Sequence, residues 1–141
     1  MRKFSTKILL FGLFILLLSN LAVAKTEIMP LEDIKSGMQG VGKTVLRGTK
    51  VEEFSVEIVS ILENQSMDQD LILVKTSGDV IERTGGIASG MSGSPVYVQG
   101  KLIGAIGYGW QMANHKIGMV TPIEDMLNIF DLEKQKDEQE I

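Results

Sequence analysis

The residues best suited to chemistry lie together in Thr84-Gly85-Gly86-Ile87-Ala88-Ser89-Gly90-Met91-Ser92-Gly93-Ser94-Pro95. Glycines on both sides of a serine let the backbone bend sharply, lift the hydroxyl clear, and turn N–H groups toward a developing oxyanion. Acyl transfer needs that arrangement, together with a base for the serine proton. The alternative is a structural glycine-rich turn whose hydroxyls bond the local backbone. Candidate bases are few. The single histidine, His115, follows Ser92 by 23 residues and sits between Asn114 and Lys116, in the manner of a solvated surface side chain. Lys43, Lys75 and Lys101 could serve in a Ser-Lys pair, but a lysine must first be desolvated and the spacing selects none of them.

The elements that must position this loop read as strands. Near-alternation with one slip, at Phe54, Val56, Ile58, Val59, Ile61 and Leu62, predicts a half-buried strand with a bulge over 51–62. Asn64 to Gln69 reads as a polar turn and Asp70 to Lys75 as a buried strand. The stretch from Ser77 to Ser94 reads as loop throughout. Val96-Tyr97-Val98 and Leu102 to Gly109 form a hairpin through a glycine-bearing turn, and Ile117 to Val120 is a further strand. Earlier, Pro30 to Ile34 has the length of one helical turn, and Lys43 to Leu46 reads as a strand. Gly37, Gly40 and Gly42 read as backbone turns; a dinucleotide fingerprint would need a helix after them. Thr121-Pro122-Ile123-Glu124 has the form of a capping box, opening a helix whose apolar face is Met126, Leu127, Ile129 and Phe130.

Composition bounds the rest. The chain has 141 residues, 44% of them apolar, which fits one domain. Arg2, Lys3 and Lys7, the apolar run Ile8 to Leu18, and Ala22-Val23-Ala24 have the form of a signal peptide over 1–24. An uncleaved membrane anchor is the alternative, since Ile8 to Ala24 approaches the shortest spanning length. Cleavage would remove three of the 14 Lys+Arg and none of the 18 Asp+Glu, leaving a net charge of −7. Such a charge argues against nucleic acid and anionic membrane as partners. Without cysteine there is neither a disulfide nor a thiolate. No Met, His or acidic cluster has metal-ligand spacing, so no metal or cofactor is expected. Glu52, Glu53, Asp68 and Asp70 read as solvated acids rather than a paired-carboxylate hydrolase. Tyr97, Tyr108 and Trp110 read as aromatic core, with the lining of a peptide groove as the alternative.

Gly90-Met91-Ser92-Gly93-Ser94-Pro95, preceded by Thr84-Gly85-Gly86-Ile87 and followed by Val96 to Tyr108, resembles the active-serine region of the sporulation factor IV B serine peptidases, family S55. It is also similar in form to the Gly-x-Ser-Gly-x-Pro signature of trypsin-like peptidases. The resemblance extends to Gly40-x-Gly42-x-Thr44-Val45, Asp70 to Val74, Gly107-Tyr108-Gly109-Trp110 and Val120-Thr121-Pro122-Ile123. It implies Ser92 as nucleophile, the backbone N–H groups of Gly90 and Ser92 as oxyanion donors, and Ser94 as a loop-shaping residue. It also implies a histidine and an aspartate before the serine, yet residues 1–91 contain no histidine. The expected aspartate position, fifteen residues before Ser92, is Ser77, with Asp79 the nearest substitute.

The expectation is therefore a mostly β, small trypsin-like β-barrel domain over 25–131, with a C-terminal α-helix and a charged tail at 132–141. It would be exported, with a peptide or protein as its partner. Three functions stay open: a serine peptidase with an unconventional or partner-supplied base, a pseudo-peptidase that binds an extended peptide, and the front piece of a longer protein.

Overall fold

In the computed structural model the described residues are 26–66, 69–109 and 114–129. The expected signal segment at 1–24, Asp68 of the expected turn, Trp110, Phe130 and the tail at 132–141 lie outside them.

Alternation makes the barrel. Along β2 (Glu52–Ser66) Phe54, Val56 and Ile58 point inward and are buried, while Ser55, Glu57 and Val59 are exposed. β1 (Gln39–Thr44), β3 (Gln69–Ser77), β4 (Pro95–Val98), β5 (Lys101–Gly109) and β6 (Ile117–Pro122) join it. The six close into a barrel in the order β1-β2-β3-β6-β5-β4. Every neighbouring pair is antiparallel, and the seam is the pairing of β1 with β4 at Gly40↔Val98, Val41↔Tyr97 and Gly42↔Val96. The mostly β architecture expected from the sequence is the one observed. The interior is filled by Ile72 and Val74 of β3, Val96 and Val98 of β4, Ile103 and Ile106 of β5, and Val120 of β6. Inward and outward positions alternate because successive strand side chains face opposite sides of a closed sheet.

The slip in the β2 pattern is a real bulge: the register with β3 shifts between Ile58 and Ser60, leaving Val59 turned outward. A second bulge matters more. On β5 the register with β6 shifts between Ile106 and Tyr108, so Gly107 is the extra residue. Bulges re-aim the backbone locally, and this one lies beside the serine loop.

Four sequence expectations are corrected. The stretch 77–94 is not loop throughout: Asp79–Thr84 forms helix α1, with Val80 and Ile81 buried against the barrel. Gly85, in the left-handed region at φ 73°, ends it, and the Gly86 N–H closes the turn on the Ile81 carbonyl at 2.9 Å. Gly40 and Gly42 are not turns but strand residues of β1. At Gly42 a Cβ would collide with the Phe54 ring, so glycine is required there by close approach. The expected polar turn does not span Asn64 to Gln69, since β2 runs to Ser66 and β3 starts at Gln69. The capping box does not form as read, because β6 continues through Thr121 and Pro122, which pair with Ala105 and Gly104. The closing helix α2 covers 123–129, and Glu124 Oε2 accepts instead from the Leu31 N–H at 2.9 Å, at the start of the short 3-10 turn Leu31–Asp33. Among the described residues no helix is long and apolar enough to cross a membrane.

Candidate active site

The serine loop is held from below and from one side. Met91 is fully buried and anchors the loop in the core; its N–H donates to the Ala88 carbonyl at 3.0 Å. Ile106 of β5 then straps the loop: its carbonyl accepts from the Gly93 N–H at 2.7 Å and its N–H donates to the Ser94 carbonyl at 2.9 Å. Gly90 (φ 97°) and Gly93 (φ 84°) flank the serine in a backbone conformation that L side chains rarely adopt, which is why Ser92 stands between glycines.

The two serines face opposite ways. Ser94 is buried and its Oγ lies 2.9 Å from Thr44 Oγ1 of β1. Ser92 is exposed and lines a cleft of about 270 Å³. Its hydroxyl donates a long hydrogen bond, 3.5 Å, to the carbonyl of Gly107 at the β5 bulge. Among the described residues neither the Gly90 N–H nor the Ser92 N–H has a backbone acceptor. The neighbouring Met91, Gly93 and Ser94 N–H groups are all taken. Two free donors beside a serine hydroxyl are what an oxyanion site requires.

His115 lines the same cleft. Its side chain is exposed, as the sequence suggests, but its backbone is fixed. Its carbonyl accepts from the Ile87 N–H at 2.6 Å, and its backbone and Cβ lie so close to Gly86 (φ 130°) that a Cβ there would collide with both. The Gly86 carbonyl in turn accepts from Thr84 Oγ1 at 2.5 Å. The next residue is held as firmly, for the Lys116 carbonyl accepts both the N–H of Thr76, at 2.7 Å, and its hydroxyl, at 2.9 Å. Among the described residues no hydrogen bond joins Ser92 to His115. Nothing in the spacing of 23 residues signals the meeting; it follows from the antiparallel return of β6 onto β5, which brings residue 115 back beside Ile87.

The other candidates lie elsewhere. Asp79 opens α1 in a separate depression with Lys50, Glu52, Glu53 and Arg83, so it is not brought to Ser92. Ser77 is exposed at the end of β3. Lys43 pairs with Glu53 at 3.4 Å and lies 5.5 Å from the centre of the Tyr97 ring. Neither Lys75 nor Lys101 lines the Ser92 cleft. Glu52 pairs with Arg83 at 2.6 Å. Tyr108 is not core but 57% exposed, and lines the cleft, while the half-buried Tyr97 packs beneath Lys43.

The sequence profile of the SpoIVB peptidase S55 family matches residues 5–127. The chain belongs to this family. The match takes in every strand of the barrel, so the S55 region and the serine cleft are one unit. No curated protein matches the chain. The sequence reading places Ile87 in the stretch before the serine but gives it no role; Gly86, one residue earlier, is the local signal of the close approach that brings Ile87 into the cleft.

Proposed function

We propose that the chain is an exported serine peptidase-like domain that holds an extended peptide in the Ser92 cleft and hydrolyses one of its bonds. The observation that carries this reading is the convergence, in one cleft, of an exposed serine hydroxyl, two N–H groups without backbone acceptors among the described residues, and the only histidine of the chain. Ser92 Oγ attacks the peptide carbonyl and its proton passes to the His115 imidazole. The Gly90 and Ser92 N–H groups hold the oxyanion, and His115 returns the proton to the leaving amine. Water then releases the acyl group. Catalytic hydrogen bonds are often long before substrate binds, which accommodates the present Ser92 geometry. With Asp79 in another depression, no carboxylate among the described residues lines the cleft to orient His115. A triad missing that group turns over about 10⁴-fold more slowly, so slow hydrolysis is expected. The signal-like segment at 1–24 supports export.

A second reading is peptide binding without cleavage. It is favoured by the Ser92 hydroxyl donating to the Gly107 carbonyl rather than to a base.

Labelling of the full chain by a fluorophosphonate separates the two. Under the first reading the parent and Ser94→Ala proteins label, Ser92→Ala does not, and His115→Gln labels at least about tenfold more slowly. A folded parent that does not label leaves only the binding reading.

A further inference from the structure

A feature of the cleft beyond the reacting groups sets what it accepts. Its apolar side chains are Ile87, Ala88 and Tyr108, beside Ser89, Ser92 and His115, and among the described residues no Asp, Glu, Lys or Arg side chain lines it. A cationic substrate side chain would lose hydration there and meet no carboxylate. Behind this wall, β5 and β6 present two glycines directly opposite each other, Gly109 and Gly118. Ile87 reaches over that pair: its Cγ2 lies 3.6 Å from where a Cβ of Gly109 would stand, and its Cδ1 takes the space a Cβ of Gly118 would need. The floor of the cleft is therefore one side chain, laid over two residues that have none.

We infer that the aliphatic side chain of Ile87 sets the depth of a pocket beside Ser92, which takes a small or β-branched aliphatic side chain of the bound peptide and rejects aromatic and cationic ones. The inference rests on the cleft being a peptide site but not on cleavage. Shortening Ile87 must deepen the pocket, because the glycines behind it have no side chains to move into the gap. The Ile87 N–H that holds the His115 carbonyl is untouched by such a change.

The test uses the full chain carrying Ser92→Ala, so that nothing is turned over, and acetyl-Ala-Ala-Xaa-Ala-Ala-amide peptides with Xaa = Val, Phe or Lys, followed by NMR titration. The Val peptide is expected to bind about tenfold or more tightly than the others, a range one misfitting group in an apolar pocket commonly covers. Adding Ile87→Ala should reverse the order of Val and Phe. Ile87→Val, which removes only the atom over Gly118, should narrow the gap between them with the fold intact by circular dichroism. Absence of binding, equal affinities, a preference for Lys, or an order unchanged in both folded Ile87 variants would overturn the inference. Incubating the same peptides with the parent chain reads cleavage separately. Val-selective binding without cleavage removes the peptidase reading and leaves the pocket assignment standing.

Discussion

Ser94 and Thr44 share a buried hydrogen bond, 2.9 Å between hydroxyls, that ties the serine loop to β1 across the barrel seam. Both residues are nearly inaccessible, so neither hydroxyl can turn to water when the other is removed. Ser94→Ala should therefore cost about 1–3 kcal/mol, the desolvation of an orphaned buried hydroxyl. Thr44→Val together with Ser94→Ala should cost less than the sum of the two single changes, since no orphan remains. Urea unfolding of the four proteins measures the coupling.

Gly86 is held at φ 130° against the backbone of His115. Gly86→Ala meets both an unfavourable backbone conformation and a collision with main-chain atoms that cannot swing away. The expected loss is about 1–3 kcal/mol from the backbone conformation alone, with the 115 segment displaced from the cleft. Fluorophosphonate labelling should fall with it even though Ser92 is unchanged; labelling at the parent rate in a folded Gly86→Ala protein would detach His115 from the chemistry.

Gly42 lies under the Phe54 ring in the barrel interior. Gly42→Ala should destabilise by about 1–3 kcal/mol through overpacking. Phe54→Leu in the same chain should return part of that loss, because the smaller side chain leaves room for the new methyl. A thermal melt of single and double variants decides it.

Asp125 in α2 has its carboxyl pushed above the ordinary range, first by burial, then by the negative charges of Asp70 and Glu124. Its Oδ2 is buried and has no hydrogen-bond partner among the described residues. Between the unfolded pKa and the raised folded one, the folded chain holds more of the proton. Stability therefore falls as pH rises through that window, and the loss is complete above the folded value. Asp125→Asn should raise the melting temperature at pH 7 and have a smaller effect at pH 4. An equal effect at both would place the cause outside its ionisation.

Most of the barrel was legible because strand alternation and burial are the same fact seen from two sides. The slip at Val59 reads directly as a bulge, and the serine loop reads from its glycines. Helix α1 did not, since six residues with Val80 and Ile81 adjacent are too short to display a helical period, and its stop signal, Gly85, is one glycine among many nearby. Thr121-Pro122 misled for a related reason: the same residues suit a helix start and an edge of β6, and pairing with Gly104 and Ala105 decided between them. His115 shows the limit best. Its type was visible, but its place depends on which strands close the ring, and that is a property of the whole chain.

The seam of three residue pairs between β1 and β4 has a consequence in time. Gly40 must wait for Val98, so the ring cannot shut until the strand beyond the serine loop has been made, and loop closure over such a separation makes formation slow. Until then the nascent polypeptide carries Ser92 with neither wall nor floor around it. The residues that wall the Ser92 cleft from the other side, Ile106 to Gly109 of β5 and His115 ahead of β6, are made after it, so a newly made chain holds its serine without a cleft until β5 and β6 have docked.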